Sequence, residues 1–203
     1  MKQYLGRLRL IRELTSRGKF SLSIGSKNTQ FANINLDVDP STKADIIAAV
    51  QNLPFKSNPF ELIFFTDIIE HLPKGEEVRA LREINRVLKN DGELILTTPY
   101  SSFLFTNLDP AFWIRNHRHY SLDEIKKLLE KSGFNAICIF TSGGLWACLS
   151  NLWYCVLIYP LRKIFNINLK IPYFLQQLED NEYQLCRERN GYTIFLVGTK
   201  VRM

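Results

Sequence analysis

Short runs of β-branched and aromatic residues recur through the first third of the sequence, and the connections between them are brief. The first four runs are FSLSI, NINLDV, ADIIA and LIFFTD, at residues 20–24, 33–38, 44–48 and 62–67. Each run is bounded by turn-forming residues, which is typical of strands. A parallel crossover normally takes a dozen or more residues and a helix, yet only eight residues join the first two runs and five join the next two. The sequence therefore predicts a parallel sheet whose first two crossovers lack full helices.

Two later segments have the periodicity of amphipathic helices. Residues 74–89 and 121–134 both repeat apolar side chains at helical spacing, and the second ends near Gly133, where a helix favours a left-handed residue. Three further strands are predicted: ELILTT at 93–98, NAICIFT at 135–141 and YTIFLVGTK at 192–200. A chain of 203 residues is long enough for one α/β core with an added segment. We therefore expect a single domain over residues 1–203.

The basic residues are concentrated at the N-terminus. The first twenty residues carry six Lys or Arg against one Glu, a net charge of +5 out of +6 for the whole chain. We interpret residues 1–19 as a basic helix that could contact phosphates or anionic head groups, although a solvated surface helix explains the same charges. Its apolar positions also make it the candidate cover for an exposed sheet face. Nucleic acid as a partner rests on this arm alone, and we do not expect it.

A stretch without any charged side chain, residues 132–161, precedes the last predicted strand. It overlaps an apolar, helical insertion that we assign to residues 143–190. Its apolar run is too short and too interrupted to span a membrane. Three interpretations stay open: a buried helix, a lid over a hydrophobic substrate, or a helix of residues 143–174 lying at a lipid interface. In the last case the interfacial aromatic side chains would be Trp146, Trp153, Tyr154 and Tyr159, with basic partners Arg162, Lys163 and Lys170.

The four cysteines, Cys138, Cys148, Cys155 and Cys186, form no CxxC pair and lie in apolar surroundings. We interpret them as buried thiols of a reduced compartment, and we predict no metal site. The expected location is cytoplasmic, with peripheral membrane contact as the alternative for the insertion and the basic N-terminus.

Three segments occur in an order that resembles the class I S-adenosylmethionine-dependent methyltransferases of the small-molecule type. They are NLPFKSNPFELIFFTDIIEHLP, LREINRVLKNDGELILTTP and HRHYSLDEIKKLLEKSGF. The resemblance is closest to the branch with a short first loop, and it covers about two-thirds of the chain. It implies a Rossmann-like, mostly parallel seven-stranded sheet with an antiparallel last strand and reduced helices after the first two strands. It also implies S-adenosylmethionine as the cofactor.

The resemblance further implies cofactor positions at the carboxyl ends of the strands, where open α/β sheets bind ligands. Gly25 matches the first-motif glycine, which lets the backbone approach the methionine moiety. Asp37 matches the acid that accepts the ribose hydroxyls, with Asp39 as the alternative. The other predicted cofactor-binding residues are Ser23, Ser26, Val50, Gln51, Thr66, Asp67 and His71, and Glu70 is expected beside His71 at the mouth of the site. Ser23 and Ala49 stand where the family commonly has acids.

The connection over residues 99–121 is long for a compact domain, and long ordered loops often bind substrate. His117 and His119 are the candidate general bases, because imidazole titrates near neutral pH; alternatively, they fix the loop against the following helix. The predicted function is methyl transfer from S-adenosylmethionine to a small-molecule or lipid-linked acceptor. The alternative is a non-catalytic binding or scaffold protein that keeps the fold without the cofactor chemistry.

Overall fold

The structure is a computed structural model that describes residues 5–15, 18–27, 32–109, 112, 117–167, 169–185, 187–188 and 190–201. Cys186 and parts of the basic N-terminal segment therefore lie outside the described residues. The chain divides into two compact units. One, the sheet unit, comprises Thr15–Thr98, Leu122–Ile139 and Phe195–Met203; the other, the helical unit, comprises Met1–Leu14, Pro99–Ser121 and Phe140–Ile194.

Among the described residues, the sheet has eight strands. Its strands are β1 (Ser21–Ile24), β2 (Ile34–Asp37), β3 (Ile46–Ile47), β4 (Phe60–Thr66), β5 (Leu88–Pro99), β6 (Phe134–Ser142), β7 (Arg187–Glu188) and β8 (Thr193–Lys200). They are arranged β3-β2-β1-β4-β5-β8-β6-β7. The first five strands pair in parallel, and the last strands are antiparallel. This confirms the predicted Rossmann-like class; β7, only two residues long, is an addition to the seven strands expected.

The helices are distributed as the short connections require. They are α1 (Leu5–Glu13), α2 (Glu77–Val87), α3 (Phe103–Leu108), α4 (Leu122–Lys131), α5 (Leu145–Trp153), α6 (Tyr159–Phe165) and α7 (Tyr173–Leu185), with a 3₁₀ turn at Ile69–His71 and a π-helical turn at Tyr154–Ile158. Of the first two connections, the described residues 25–27, 32–33 and 38–45 contain only turns and bends. In the described residues, β1 and β2 are thus followed by loops at their carboxyl ends.

The core of the sheet unit is built on β1, β4 and β5. The described side chains of β1 are all buried, and β4 and β5 contribute apolar residues such as Ile63, Phe65 and Ile95. Helices α2 and α4 pack against each other, and the Asn85 side chain donates to the Gly133 carbonyl at 2.8 Å. The pattern of residues 74–89 placed the end of α2 two residues late, because Leu88 already pairs with Phe60 as the first residue of β5.

In the helical unit, α1 packs along α7 and buries Leu10 and Ile11. Its cations are engaged within the protein: Arg9 pairs with Glu13 at 3.0 Å, and Arg7 hydrogen bonds to the Tyr183 hydroxyl. The suggestion that α1 covers the sheet face stays a prediction. The described part of α1 therefore offers fewer available charges than the sequence indicated.

Helices α5 and α6 run on through the π-helical turn, since Tyr154 and Tyr159 at its ends both have right-handed helical dihedral angles. Pro160 in the first turn of α6 has no N–H to donate, and a π turn is a usual way to accommodate an interrupted helix ladder. Asn166, with φ of +55°, ends α6 in the left-handed conformation. Within the described residues, none of the helices has the length and apolar character needed to cross a membrane.

A glutamate on α7 caps the N-terminus of α5. Glu182 accepts hydrogen bonds from the backbone N–H groups of Gly144, Trp146 and Ala147 at 2.9–3.0 Å. These donors are orphaned at a helix start and carry positive partial charge. The carboxylate thereby fixes the first turn of the insertion to a helix almost forty residues further along the chain.

Replacing Glu182 with Ala should destabilise the protein by about 2–3 kcal/mol, because three backbone donors lose a charged acceptor. Urea unfolding would measure this loss. The exposed Glu130 on α4 provides the matched control, and Glu130→Ala should change the free energy of unfolding by less than about 0.5 kcal/mol. Equal effects from the two variants would show that the cap contributes nothing.

A second glutamate on α7 is buried for a different reason. Burial raises the pKa of Glu179 from 4.5 to about 7, opposed by its hydrogen bond with Ser150 and by the charge of Arg7. The folded state therefore keeps a proton that the unfolded chain releases at lower pH. This glutamate costs stability as the pH rises from about 4.5 to about 7, and the full cost persists above that range.

The variant Glu179→Gln, which mimics the protonated side chain, should be more stable than the wild type above pH 7 by up to about 3 kcal/mol, and equal to it below pH 4.5. Thermal unfolding across pH 4–8 would test this. Glu130→Gln serves as the exposed control and should show no pH-dependent gain. If the difference in stability between the wild type and Glu179→Gln does not change with pH, the raised pKa of Glu179 is contradicted.

Candidate functional site

The sheet unit contains a cavity of about 650 Å³ at the carboxyl ends of β1 and β2. This volume is within the range of about 300–1,000 Å³ that is usual for small-molecule sites. Six of the ten predicted cofactor-binding residues line it: Gly25, Asp37, Asp39, Val50, Gln51 and His71. The place at which the sequence predicted the cofactor is therefore a cavity.

Asp37 is the most tightly positioned polar side chain of the cavity. It is the last residue of β2 and is buried. One carboxylate oxygen accepts the N–H of Lys27 at 2.7 Å, and the other accepts the N–H of Asp39 at 3.0 Å. Each oxygen keeps capacity for a further donor, which two adjacent hydroxyl groups of a ribose can supply.

Asp39 is different, although it also lines the cavity. It is exposed, and its carboxylate accepts the backbone N–H of Ser41 at 2.9 Å. That hydrogen bond lowers the pKa of Asp39 below its usual value. The sequence offered Asp39 as the alternative to Asp37, but β2 ends at Asp37. Asp39 therefore belongs to the turn that follows.

Gly25 permits the turn that opens the cavity. Its φ of +72° is in the left-handed region, and its N–H donates to the Leu36 carbonyl at 2.7 Å. A Cβ atom at this position would collide with the side chain of Ile68. The glycine thus allows both the close return of the chain and the packing of Ile68, which is itself a wall of the cavity.

Four predicted cofactor residues do not line the cavity. Ser23 and Ser26 are buried side chains of β1 and of the turn after it. Thr66 ends β4, and Asp67 accepts a hydrogen bond from the Thr97 hydroxyl at 3.0 Å. Glu70, expected at the mouth, is also buried and accepts from the Thr98 hydroxyl at 3.0 Å.

The donor set of the cavity fits S-adenosylmethionine. Asp37 offers a carboxylate for ribose hydroxyls, and apolar walls for a planar adenine come from Ile24, Leu36, Ala48, Val50, Ile68 and Leu72. Lys27 is the lining cation that could pair with the methionine carboxylate. Ala49 lines the cavity at the position where the family commonly has an acid, so the backbone of Val50 and the side chain of Gln51 are left for the adenine amino group.

The helical unit brings together a second group of polar side chains around Asp109. This aspartate is 1% exposed, and its Oδ2 lies 2.9 Å from His119 Nε2 and 3.5 Å from His117 Nδ1. Its other oxygen accepts from the Asn151 side chain at 3.1 Å, and the same amide donates to the Tyr192 hydroxyl at 2.8 Å. Asp109 was not among the predicted site residues, although it belongs to the same long connection as the histidines.

The two predicted histidines have unequal positions in this group. The side chain of His119 is 2% exposed, and its Nδ1 lies 3.2 Å from both the Tyr100 carbonyl and the Thr106 hydroxyl. Both of its ring nitrogens are therefore occupied by partners in the protein. His117 is more accessible, with a 12% exposed side chain. Of the two, His117 is the better placed to exchange a proton with a substrate.

The same group could also coordinate a metal ion. Asp109, His117 and His119 each offer one ligand atom, and these atoms lie within 4.8 Å of one another. Two imidazoles and a carboxylate are a common donor set for transition metals. Cys148 is a poor ligand near neutral pH, because burial, helped by the charges of Asp109 and Glu182, raises the pKa of its thiol to about 11. Cys138 is exposed, so the expectation that all the cysteines are buried was wrong.

Comparisons with known proteins show similarity to methyltransferases. Residues 12–96 match the family model of a methyltransferase domain. An uncharacterized protein of Methanocaldococcus jannaschii is 38% identical over 72 residues, which make up 34% of this chain and 31% of that protein. The matched segment thus spans about a third of the length of this relative.

Solved structures extend the likeness to nearly the whole chain. A SAM-dependent methyltransferase, possible histamine N-methyltransferase, of Thermotoga maritima has a TM-score of 0.66 at 20% identity, covering 97% of this chain and 89% of its own. The chain thus contains a segment similar to a methyltransferase domain and has the fold of S-adenosylmethionine-dependent methyltransferase structures. A chain of the complex between the Haloferax volcanii Trm112 methyltransferase activator and a methyltransferase gives 0.62 at 16% identity, covering 99% of this chain and 91% of its own.

Removing the charge of Asp109 should destabilise the protein. In Asp109→Asn one carboxylate oxygen becomes an NH₂ group, so a donor faces either Asn151 or His119, and a buried partner loses its acceptor. The cost should be about 3–5 kcal/mol, measured by urea unfolding. Asp123→Asn, an exposed position on α4, is the matched control and should be neutral. A neutral Asp109→Asn would show that the network does not stabilise the helical unit.

Proposed function

We propose that this protein transfers a methyl group from S-adenosylmethionine to a small-molecule or lipid-linked acceptor. The observation that supports the proposal most directly is Asp37, a buried carboxylate at the end of β2 that lines a cavity of suitable volume. When bound, S-adenosylmethionine supplies an electrophilic methyl group on a sulfonium whose positive charge is lost on transfer.

The chain's own residues would act mainly by positioning. Asp37 would accept the ribose hydroxyls, and its two bonds to the backbone of Lys27 and Asp39 would hold it rigid while it does so. The apolar walls would exclude water from the adenine. Such alignment and dehydration are a large part of what a displacement of this kind requires.

For a hydroxyl acceptor we assign the proton to His117. Methyl transfer from the bound cofactor to an acceptor oxygen would release the hydroxyl proton, and the His117 imidazole would take up that proton. The carboxylate of Asp109 near His117 Nδ1 would stabilise the resulting imidazolium. We assign His119 a positioning role, because its contacts with Asp109, Tyr100 and Thr106 order the connection that carries His117.

The nature of the acceptor is suggested by the insertion. It combines a long, charge-poor helix with several exposed apolar side chains. An acceptor that partitions into, or is delivered from, a lipid surface would suit such a segment. We therefore favour a lipid-linked or otherwise apolar acceptor and, with it, peripheral membrane contact.

A non-catalytic binding or scaffold protein is the second candidate. The observation in its favour is that Asp37 and Asp39 are the only acids among the described residues lining the cavity, with Ser23 and Ala49 at positions where the family commonly has carboxylates. This candidate predicts the same fold without cofactor binding.

Calorimetric titration with S-adenosylhomocysteine separates the two candidates. The wild type should bind it, and Asp37→Asn should weaken binding by about 10–100-fold, the equivalent of losing a hydrogen bond to a charged group. Asp39→Asn is the matched control and should weaken binding less than about threefold, because its carboxylate is turned to its own loop.

His117→Gln provides a further control, since it should leave the affinity for S-adenosylhomocysteine unchanged while lowering methyl transfer to an apolar hydroxyl acceptor. Thermal unfolding would confirm that each variant is folded. If the folded wild type does not bind S-adenosylhomocysteine, the methyltransferase proposal is refuted and the scaffold protein is the remaining candidate.

A further inference from the structure

The insertion leaves an unusual amount of apolar surface in solvent. We define the insertion surface as the exposed apolar side chains Val156, Ile164, Phe165, Ile167, Tyr173 and Phe174. Four of them are more than 60% exposed: Ile164 (69%), Phe165 (64%), Tyr173 (73%) and Phe174 (62%). The three aromatic rings alone leave on the order of 400 Å² uncovered, given about 150–250 Å² for a ring side chain. The largest apolar patch of a typical monomer is about 300–600 Å², and such patches are often functional.

These side chains are not left over from an incomplete core. Beneath them Ile158, Ile171 and Leu175 form a buried cluster, and Trp146 and Tyr154 pack against it. This cluster joins the helix of α5 and α6 to the start of α7, so the exposed residues on either side of it lie in one region. The helix is thus apolar on its inner and its outer face. That pattern is typical of a helix with an apolar environment on both sides.

The charges in this region have one sign. Between Glu130 and Glu179 the sequence has no acidic residue, whereas Arg162, Lys163 and Lys170 are all exposed. Lysine is depleted in protein interfaces, but long basic side chains beside aromatic rings are typical of a helix at the level of lipid head groups. Basic side chains also gain energy from the negative surface potential of anionic lipid.

We propose that the insertion surface binds the face of an anionic lipid bilayer, with its apolar side chains entering the head-group boundary and Arg162, Lys163 and Lys170 contacting the head groups. The binding is peripheral and rests on the membrane contact of the proposed function, but it does not depend on methyl transfer, so vesicle binding and cofactor binding can fail separately. The structure changes which aromatic residues serve: Trp146 and Tyr154 pack inward, and Phe165, Tyr173 and Phe174 take their place.

Co-flotation of the full chain with vesicles tests this inference. The wild type should float with vesicles of phosphatidylcholine and phosphatidylserine, and much less with phosphatidylcholine alone. The double variant Phe165→Ser with Phe174→Ser should reduce the affinity at least about tenfold. Its matched control is Ile47→Ser with Ile137→Ser, two exposed apolar residues of the sheet unit that should leave binding unchanged.

The charge is tested separately. Changing Arg162, Lys163 and Lys170 to Gln should reduce binding to anionic vesicles by about 10–100-fold. The exposed Lys126, Lys127 and Lys131 of α4, changed to Gln, form the control with equal loss of charge. All altered residues are exposed, so unfolding temperatures close to that of the wild type should confirm that the variants fold.

Several results would overturn the inference. A wild type that stays unbound with anionic vesicles would do so, and so would a Phe165 and Phe174 variant that floats as the wild type does. If both triple charge variants lose binding equally, the attraction is general and not local to the insertion surface. If the surface variants instead convert a dimer into a monomer and the wild type ignores vesicles, the surface contacts a second copy of the chain. The titration with S-adenosylhomocysteine does not depend on vesicle binding. A failed membrane inference therefore leaves the methyltransferase proposal standing.

Discussion

The Asp37 carboxylate is the interaction on which the cofactor cavity depends. It lies at the end of a parallel strand and accepts one backbone N–H from the turn after β1 and one from the turn after β2. The described residues of these connections contain only turns and bends, and the two hydrogen bonds join both turns to one side chain. A single buried charge thus both shapes the loops and presents acceptor atoms to a ligand.

Buried carboxylates have the same organising role in the helical unit. Glu182 caps α5, and Asp109 gathers two imidazoles and an amide. In each case a charge in a low-dielectric environment is stabilised by several donors, and removal of any one partner would leave another unsatisfied. Networks of this kind specify one arrangement of the long connection and the insertion. They also place His117 beside a carboxylate, which is what a general base requires.

The sequence predicted most of the fold, because local patterns were strong where the chain forms a sheet. Strands β1, β2, β4, β6 and β8 and helices α2 and α4 lie where periodicity placed them, within a few residues. The predicted end of α2 was wrong because the helical pattern of residues 74–89 includes Leu88, whereas in the structure Leu88 pairs with Phe60 as part of β5. The position of the cavity was predicted from Gly25 and Asp37, because both residues match positions of a family motif, and both line the cavity.

The sequence alone determined the class of the fold and the apolar character of the insertion, because these follow from side-chain periodicity and residue type. The expected place of the cavity followed from the resemblance of Gly25 and Asp37 to a family motif. The tertiary structure decided which residues act together. Only the folded chain shows that Asp109 joins the histidines, that His119 is enclosed while His117 is not, and that Phe165 and Phe174 are exposed while Trp146 is packed. The physical reason is that burial and hydrogen-bond partners are contributed by residues distant in sequence, which no local pattern records.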